Sequence, residues 1–296
     1  MTQFPGIERR DFLLGVGASL LATPIGACAA PTRRLKVGHT GITWGFKPMD
    51  AATAIPDVGS LGYQGYESFG DVLEFWEREG GLKKVLDEHG ILLVVDEIQM
   101  GFYRTGKLWS IEHFGVEPDV LVFGKALTNG LNPLSGIWAK EELINPGVFP
   151  PGSTHSTFNS NPLGTAVALE AMKMMEDNNY AKSVPEKGAY FLKGLQDLKR
   201  RHKIVGDVDG LGLALRAEIC EPHDSFTPSK ALVDRMVDEG LKGDIDIEGR
   251  KYGLVLDIGG WYKNVITFAP SLHISKSEID LAMKLLDALI TRVTRN

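Results

Sequence analysis

Two segments of this chain end alike: I-L-L-V-V-D-E-I-Q over 91–99 and D-V-L-V-F-G-K over 119–125 each close an apolar run with one ionisable side chain, Asp96 and Lys125. Runs such as Ile91 to Val95 and Val120 to Phe123 are expected to be strands buried on both faces, and in open α/β sheets ligands gather at the carboxyl ends of such strands. A primary amine and a carboxylate would then share one rim. The amine can hold an aldehyde as a Schiff base, give way to an incoming amine and carry the proton that follows. The carboxylate can keep a heterocyclic nitrogen protonated through a charge-assisted hydrogen bond, so that the ring remains an electron sink. That pairing is what a pyridoxal-phosphate site requires. Taken singly, an Asp after a strand is ordinarily a helix cap and a Lys ordinarily solvated surface.

Other elements must set these residues in place. Ser135 to Ala139 reads as a third strand, and G-S-T-H-S-T-F-N-S-N-P-L-G (152–164) leads into helical spacing from Thr165 to Asp177. V-G-D-V-D-G-L-G-L-A-L-R-A-E-I (205–219) alternates like one strand. Its glycines do not make a dinucleotide fingerprint, because no helix follows to meet a pyrophosphate. Segments 251–260 and 264–272 and a terminal helix from Ser277 to Arg292 complete a C-terminal unit.

Composition narrows the function classes. With 296 residues, 43% hydrophobic, the chain can bury one large core or two modest ones. A formal charge of −6 leaves no basic surplus for a nucleic acid. Seven histidines and two cysteines form no metal-ligand spacing, so neither a metal nor a disulfide framework is expected. G-x-S-x-G is absent, which argues against a hydrolase elbow.

From about residue 89 onward the chain resembles the second half of a class III (ω-type) aminotransferase. The resemblance rests on V-D-E-I-Q-M-G-F-Y-R-T-G-K (95–107), F-G-K-A-L-T-N-G (123–130) and the S-T-F of 156–158. It implies an α/β fold of the fold-type I pyridoxal-phosphate class, with a partial large domain (89–203) and a small α+β domain (204–296). It also implies pyridoxal 5'-phosphate as cofactor, Lys125 as the catalytic lysine and Asp96 at the ring nitrogen. Gln99 would contact the phenolic oxygen, and Thr157 the phosphate of the cofactor held by a neighbouring subunit. A homodimer would follow, acting on a small amino donor and an oxo acceptor. The family's phosphate loop and stacking aromatic belong to the half that is not matched. Where the family commonly carries an arginine for the substrate carboxylate, this sequence has Thr267, and Arg216 is an alternative clamp.

Residues 31–88 read strand, helix, strand, helix, and K-V-G (36–38) with A-I-P-D-V-G-S-L-G-Y-Q-G-Y-E (54–67) resembles the opening of a xylose-isomerase-like sugar phosphate isomerase/epimerase barrel. His39 and Glu67 there are expected to be structural or surface residues. Ahead of them, R-R-D-F-L-L (9–14) and the small apolar run to Ala27 resemble a twin-arginine signal over 1–30, cleaved near Ala29 or lipidated at Cys28. The chain thus reads as a chimera, periplasmic if the signal works and otherwise cytoplasmic, with no membrane span beyond it. An amino-acid racemase, a sugar-isomerase-like protein and a catalytically dead fusion remain alternatives to transamination.

Overall fold

The computed structural model describes residues 38–40, 57–63, 65–67, 81, 84, 86–87, 90–147, 150–152 and 156–295. The expected signal segment and Cys28 lie outside the described residues. Two compact units are present, Met1–Leu82 and Lys83–Asn296. In the first, β1 (Gly38–Thr40) and β2 (Gly65–Glu67) pair in parallel, with Gly38 opposite Gly65, and residues 57–60 between them are helical.

The second unit begins with a three-stranded sheet, β3 (Val94–Asp96), β4 (Val120–Phe123) and β5 (Gly136–Ala139), in that order. β3 runs parallel to β4, and β5 returns antiparallel. Asp119, almost closed from solvent, staples the start of the sheet: its carboxylate accepts from Leu93 N at 2.8 Å and from Lys140 Nζ at 2.7 Å. Burial on both faces, expected for β3, is not what forms. Register sets Val94, Asp96, Val120, Val122 and Ile137 on one face, where Val94 is 58% and Ile137 54% exposed. β3 lies at the sheet edge, and Leu121 and Phe123 turn the opposite face towards the core.

After a short turn, α1 (Glu141–Ile144), come α2 (Pro162–Asp177) and α3 (Tyr180–Arg201). α2 opens with Pro162 in its first turn, and Asn161 Oδ1 accepts from Gly164 N at 2.6 Å. α3 buries Tyr180, Val184, Gly188, Phe191, Leu195 and Leu198, a stripe at three- and four-residue spacing, despite Pro185 within it.

The segment 205–219, expected as one strand, is a hairpin. β6 (Val205–Leu211) turns at Gly212 and Leu213 into β7 (Ala214–Glu221), because Gly210 and Gly212 take φ of 149° and 57°. With β8 (Asp224–Pro228), β11 (Asp257–Gly259) and β12 (Val265–Phe268) these strands form a five-stranded antiparallel sheet, order β11-β12-β7-β6 with β8 on β7. α4 (Lys230–Leu241) precedes the small hairpin of β9 (Ile245–Ile247) and β10 (Arg250–Tyr252). α5 (Lys276–Thr294) starts from a capping box, Ser275 Oγ accepting from Glu278 N while Glu278 Oε2 accepts from Ser275 N. One core joins Phe102 and Leu127 to α3, Leu213, Leu215 and α5; a second lies between the sheet, α4 and α5. Among the described residues no helix is long and apolar enough to cross a membrane.

Candidate active site

Asp96 is the last residue of β3 and lies opposite Val122 of β4, three residues before Lys125. Neighbouring strands are about 4.8 Å apart, so both side chains start from one rim, at the carboxyl ends of two parallel strands. Lys125 begins a 3-10 turn, Lys125–Thr128, whose Leu127 and Thr128 are buried while Lys125 itself is exposed. The turn is therefore anchored from below and presents its lysine outward. α2 packs against this turn.

The backbone at Lys125 is left-handed, with φ of 43°. A long side chain adopts that region only where its surroundings enforce it, and such outliers gather at functional sites. Gly124, one residue earlier, lies close to the chain itself: an added Cβ would be 3.3 Å from Ser135 Cβ, so that side chain would have to shift by a few tenths of an ångström. Among the described residues, no hydrogen bond or ion pair engages the Lys125 ammonium.

Asp96 caps locally with one oxygen, Oδ1 accepting from Ile98 N at 2.9 Å. Its second oxygen has no partner among the described residues. Gln99 is exposed on the following turn. Thr157 lies in an exposed loop and takes no part in capping α2, which Asn161 does alone. All four residues singled out by sequence are thus solvent-accessible, and three of them, Asp96, Gln99 and Lys125, stand at the ends of β3 and β4.

The loop from β3 holds residues that the sequence did not single out. Glu97, wholly buried, accepts from Ser110 Oγ and Ile111 N. Phe102 and Tyr103 are both left-handed, at φ of 56° and 66°. Phe102 is held there by Trp109, 4.9 Å away between ring centroids, and by Phe123 at 6.1 Å. Arg104 is half-buried, and loss of hydration lowers its guanidinium below its ordinary value without discharging it. Such a charge announces itself only through its partners, which for Arg104 lie far along the chain.

Arg216, the alternative clamp for a substrate carboxylate, and Thr267, at the position of the family's arginine, are both already engaged with carboxylates. Arg216 meets Glu218 at 3.2 Å, Asp207 at 3.3 Å and Asp209 at 3.8 Å. Thr267, opposite Arg216 on β12, donates its hydroxyl to Asp257 of β11. Asp257, Thr267, Arg216 and Asp209 form one row across four strands, acidic at both ends. A small void between the two cores, lined by apolar side chains such as Leu198, Ile219 and Ile266, is not at the rim of Asp96 and Lys125.

This arrangement fits pyridoxal phosphate: an amine and a carboxylate oxygen that are both without a partner among the described residues, and an amide side chain on the loop that follows β3. Comparison with known proteins points the same way. Residues 74–290 match the family described as aminotransferase class-III. The chain is 31% identical over 268 residues to an acetylornithine aminotransferase of Caldanaerobacter subterraneus subsp. tengcongensis, covering 84% of this chain and 61% of that protein. An alanine/serine racemase of Pyrococcus horikoshii is 34% identical over 209 residues, 71% of this chain and 41% of its own length. Among solved structures, the ornithine delta-aminotransferase of Plasmodium falciparum superposes with a TM-score of 0.63 at 27% identity, over 74% of this chain and 51% of that one. The chain therefore spans about half the length of the relatives it matches. With the family match extending over well more than half of its residues, the chain belongs to the class III aminotransferases, a family that depends on pyridoxal phosphate.

Proposed function

We propose that this chain binds pyridoxal phosphate and moves an amino group from an amine or amino acid to an oxo acceptor. The observation that carries the reading is Lys125, unpaired among the described residues, in a left-handed backbone just after β4 and beside Asp96 at the end of the adjacent parallel strand. When bound, the cofactor supplies an electron sink for the carbon that loses its proton. Lys125 anchors it and then moves the proton at that carbon. Asp96, through the oxygen not used by Ile98, holds the ring nitrogen protonated. Gln99 orients the phenolic oxygen. Thr157 supports the phosphate across a homodimer interface, which its exposed position on the loop before α2 permits.

The occupied row Asp257–Thr267–Arg216–Asp209 argues for a donor that is not gripped by its carboxylate at this sheet, because any incoming carboxylate would have to displace three acidic partners from Arg216. Amines without an α-carboxylate are the donors we favour. The test is a donor panel with 2-oxo acids as acceptors, following transfer of a nitrogen-15 label. Labelled amino acid product supports transamination.

A second reading is racemisation, favoured by the similarity to the alanine/serine racemase. Lys125 would then return the proton to either face of the same carbon. Loss of optical rotation from an L-amino acid without release of keto acid would select it.

For the front of the chain, we propose an isomerase-like βαβ piece, supported by the parallel β1–β2 pair with helical residues between them. We propose export through the twin-arginine-like segment 1–30 to the periplasm. Arg9→Lys with Arg10→Lys should hold the protein in the cytoplasm, and unchanged export discards the proposal.

A further inference from the structure

The loop that follows Asp96 is gripped from its far end by the C-terminal part of the chain. Leu213, at the β6–β7 turn, has no solvent exposure, and its amide donates to Arg104 O at 2.9 Å. Arg104 Nη1 donates back to Leu213 O at 3.2 Å and to Pro270 O, between β12 and α5, at 2.6 Å. No carboxylate pairs with this guanidinium among the described residues; two backbone carbonyls from two separate segments take its protons.

The contact is also sterically closed. A Cβ on Gly212, whose φ is +57°, would lie 2.7 Å from Thr105 C and 2.8 Å from Arg104 O. From the other side, a Cβ on Gly188 of α3 would lie 2.0 Å from Gly212 O. The hairpin turn is thus wedged between α3 and residues 104–105. Gly106 repeats the pattern, since a Cβ there would be 2.5 Å from Pro185 Cγ. The backbone of this loop has few ways to move without breaking Arg104 away from its carbonyls.

We propose that Arg104 is a positioning residue of the pyridoxal-phosphate site, latching residues 97–107 onto the β6–β7 turn and Pro270 so that Asp96 and Gln99 hold one position. It touches neither cofactor nor substrate, and the inference rests on the reading of the site given above. Arginine suits the task because the two protons of one Nη1 are held in fixed directions by the guanidinium plane, whereas a lysine ammonium is a strongly hydrated point charge whose protons rotate freely.

The test uses the full chain with Arg104→Lys and Arg104→Met, measuring amide hydrogen exchange without cofactor and then titrating pyridoxal phosphate by its visible absorbance. In Arg104→Met, exchange in 97–107 should accelerate about ten-fold or more while amides of α5 keep their protection, and the cofactor dissociation constant should rise by a similar factor. Arg104→Lys should fall between, and it decides the matter if Arg104→Met does not fold. The proposal is overturned if exchange in 97–107 and cofactor affinity are both unchanged, or if both cores lose protection together. Wild-type protein that takes up no pyridoxal phosphate overturns the site reading, whereas local acceleration confined to 97–107 upholds the latch itself.

Discussion

The carboxylate of Glu97, wholly buried, and the hydroxyl of the half-buried Ser110 meet at 2.7 and 2.8 Å, one residue along the chain from the exposed Asp96. Glu97 also accepts from Ile111 N at 2.8 Å, so it caps the 3-10 turn Ser110–Phe114 and fixes the loop on which Gln99 stands. Glu97→Ala would strand the buried Ile111 amide and leave the half-buried Ser110 hydroxyl without its partner. A loss of roughly 2–4 kcal/mol is expected, with a smaller loss for Glu97→Gln, both read from urea unfolding at unchanged slope. A loss below about 1 kcal/mol for the alanine variant would refute this role.

Phe102 packs edge-on against Trp109 and Phe123, and Phe123 stands two residues before Lys125. Removing the ring opens a cavity beside Phe123 of β4, at a position whose left-handed backbone alanine would still have to adopt. Phe102→Ala should cost about 3–5 kcal/mol, and Phe102→Leu clearly less. Equal losses for the two would refute the cavity account, since leucine refills most of the space that alanine leaves empty.

Acid should destabilise the C-terminal region. Arg292, bonded to Asp244 at 2.5 Å, holds that carboxyl below its ordinary range. Lys242 does the same to Glu239, Lys199 to Asp207, and the Ser275 amide to Glu278. Each of these groups binds its proton less tightly folded than unfolded. The stability they lend is therefore complete above the usual carboxylate range and is lost as pH falls through the lowered values, below about pH 4. Circular dichroism against pH should show that transition, and Arg292→Met should make it shallower. An identical acid profile in the variant would refute the assignment.

Much of the frame is legible in the sequence. Val120–Phe123 forms as the apolar run predicts, α2 and α5 follow their spacing, and Asp96 and Lys125 stand out because each ends an apolar run. Three features resist such reading for physical reasons. Alternation continues on both sides of Gly212 and Leu213, so the β6–β7 hairpin looks like one strand. Pro185 lies inside α3, where it removes a helical hydrogen bond and reads as a terminator. Arg104 gains its meaning from Pro270, 166 residues away, a distance over which no local pattern reports. Sheet burial fails likewise, since how much of β3 is covered depends on what packs on its open face and not on its own residues.

The measurement closest to the central claim is the covalent capture of pyridoxal phosphate. Purified chain is mixed with the cofactor, reduced with borohydride, digested, and the modified lysine identified by mass, in wild type, Lys125→Ala and Asp96→Asn. The account predicts label on Lys125, none in Lys125→Ala, and at least about ten-fold weaker uptake in Asp96→Asn. Label that persists undiminished in Lys125→Ala, carried by some other lysine, would contradict it.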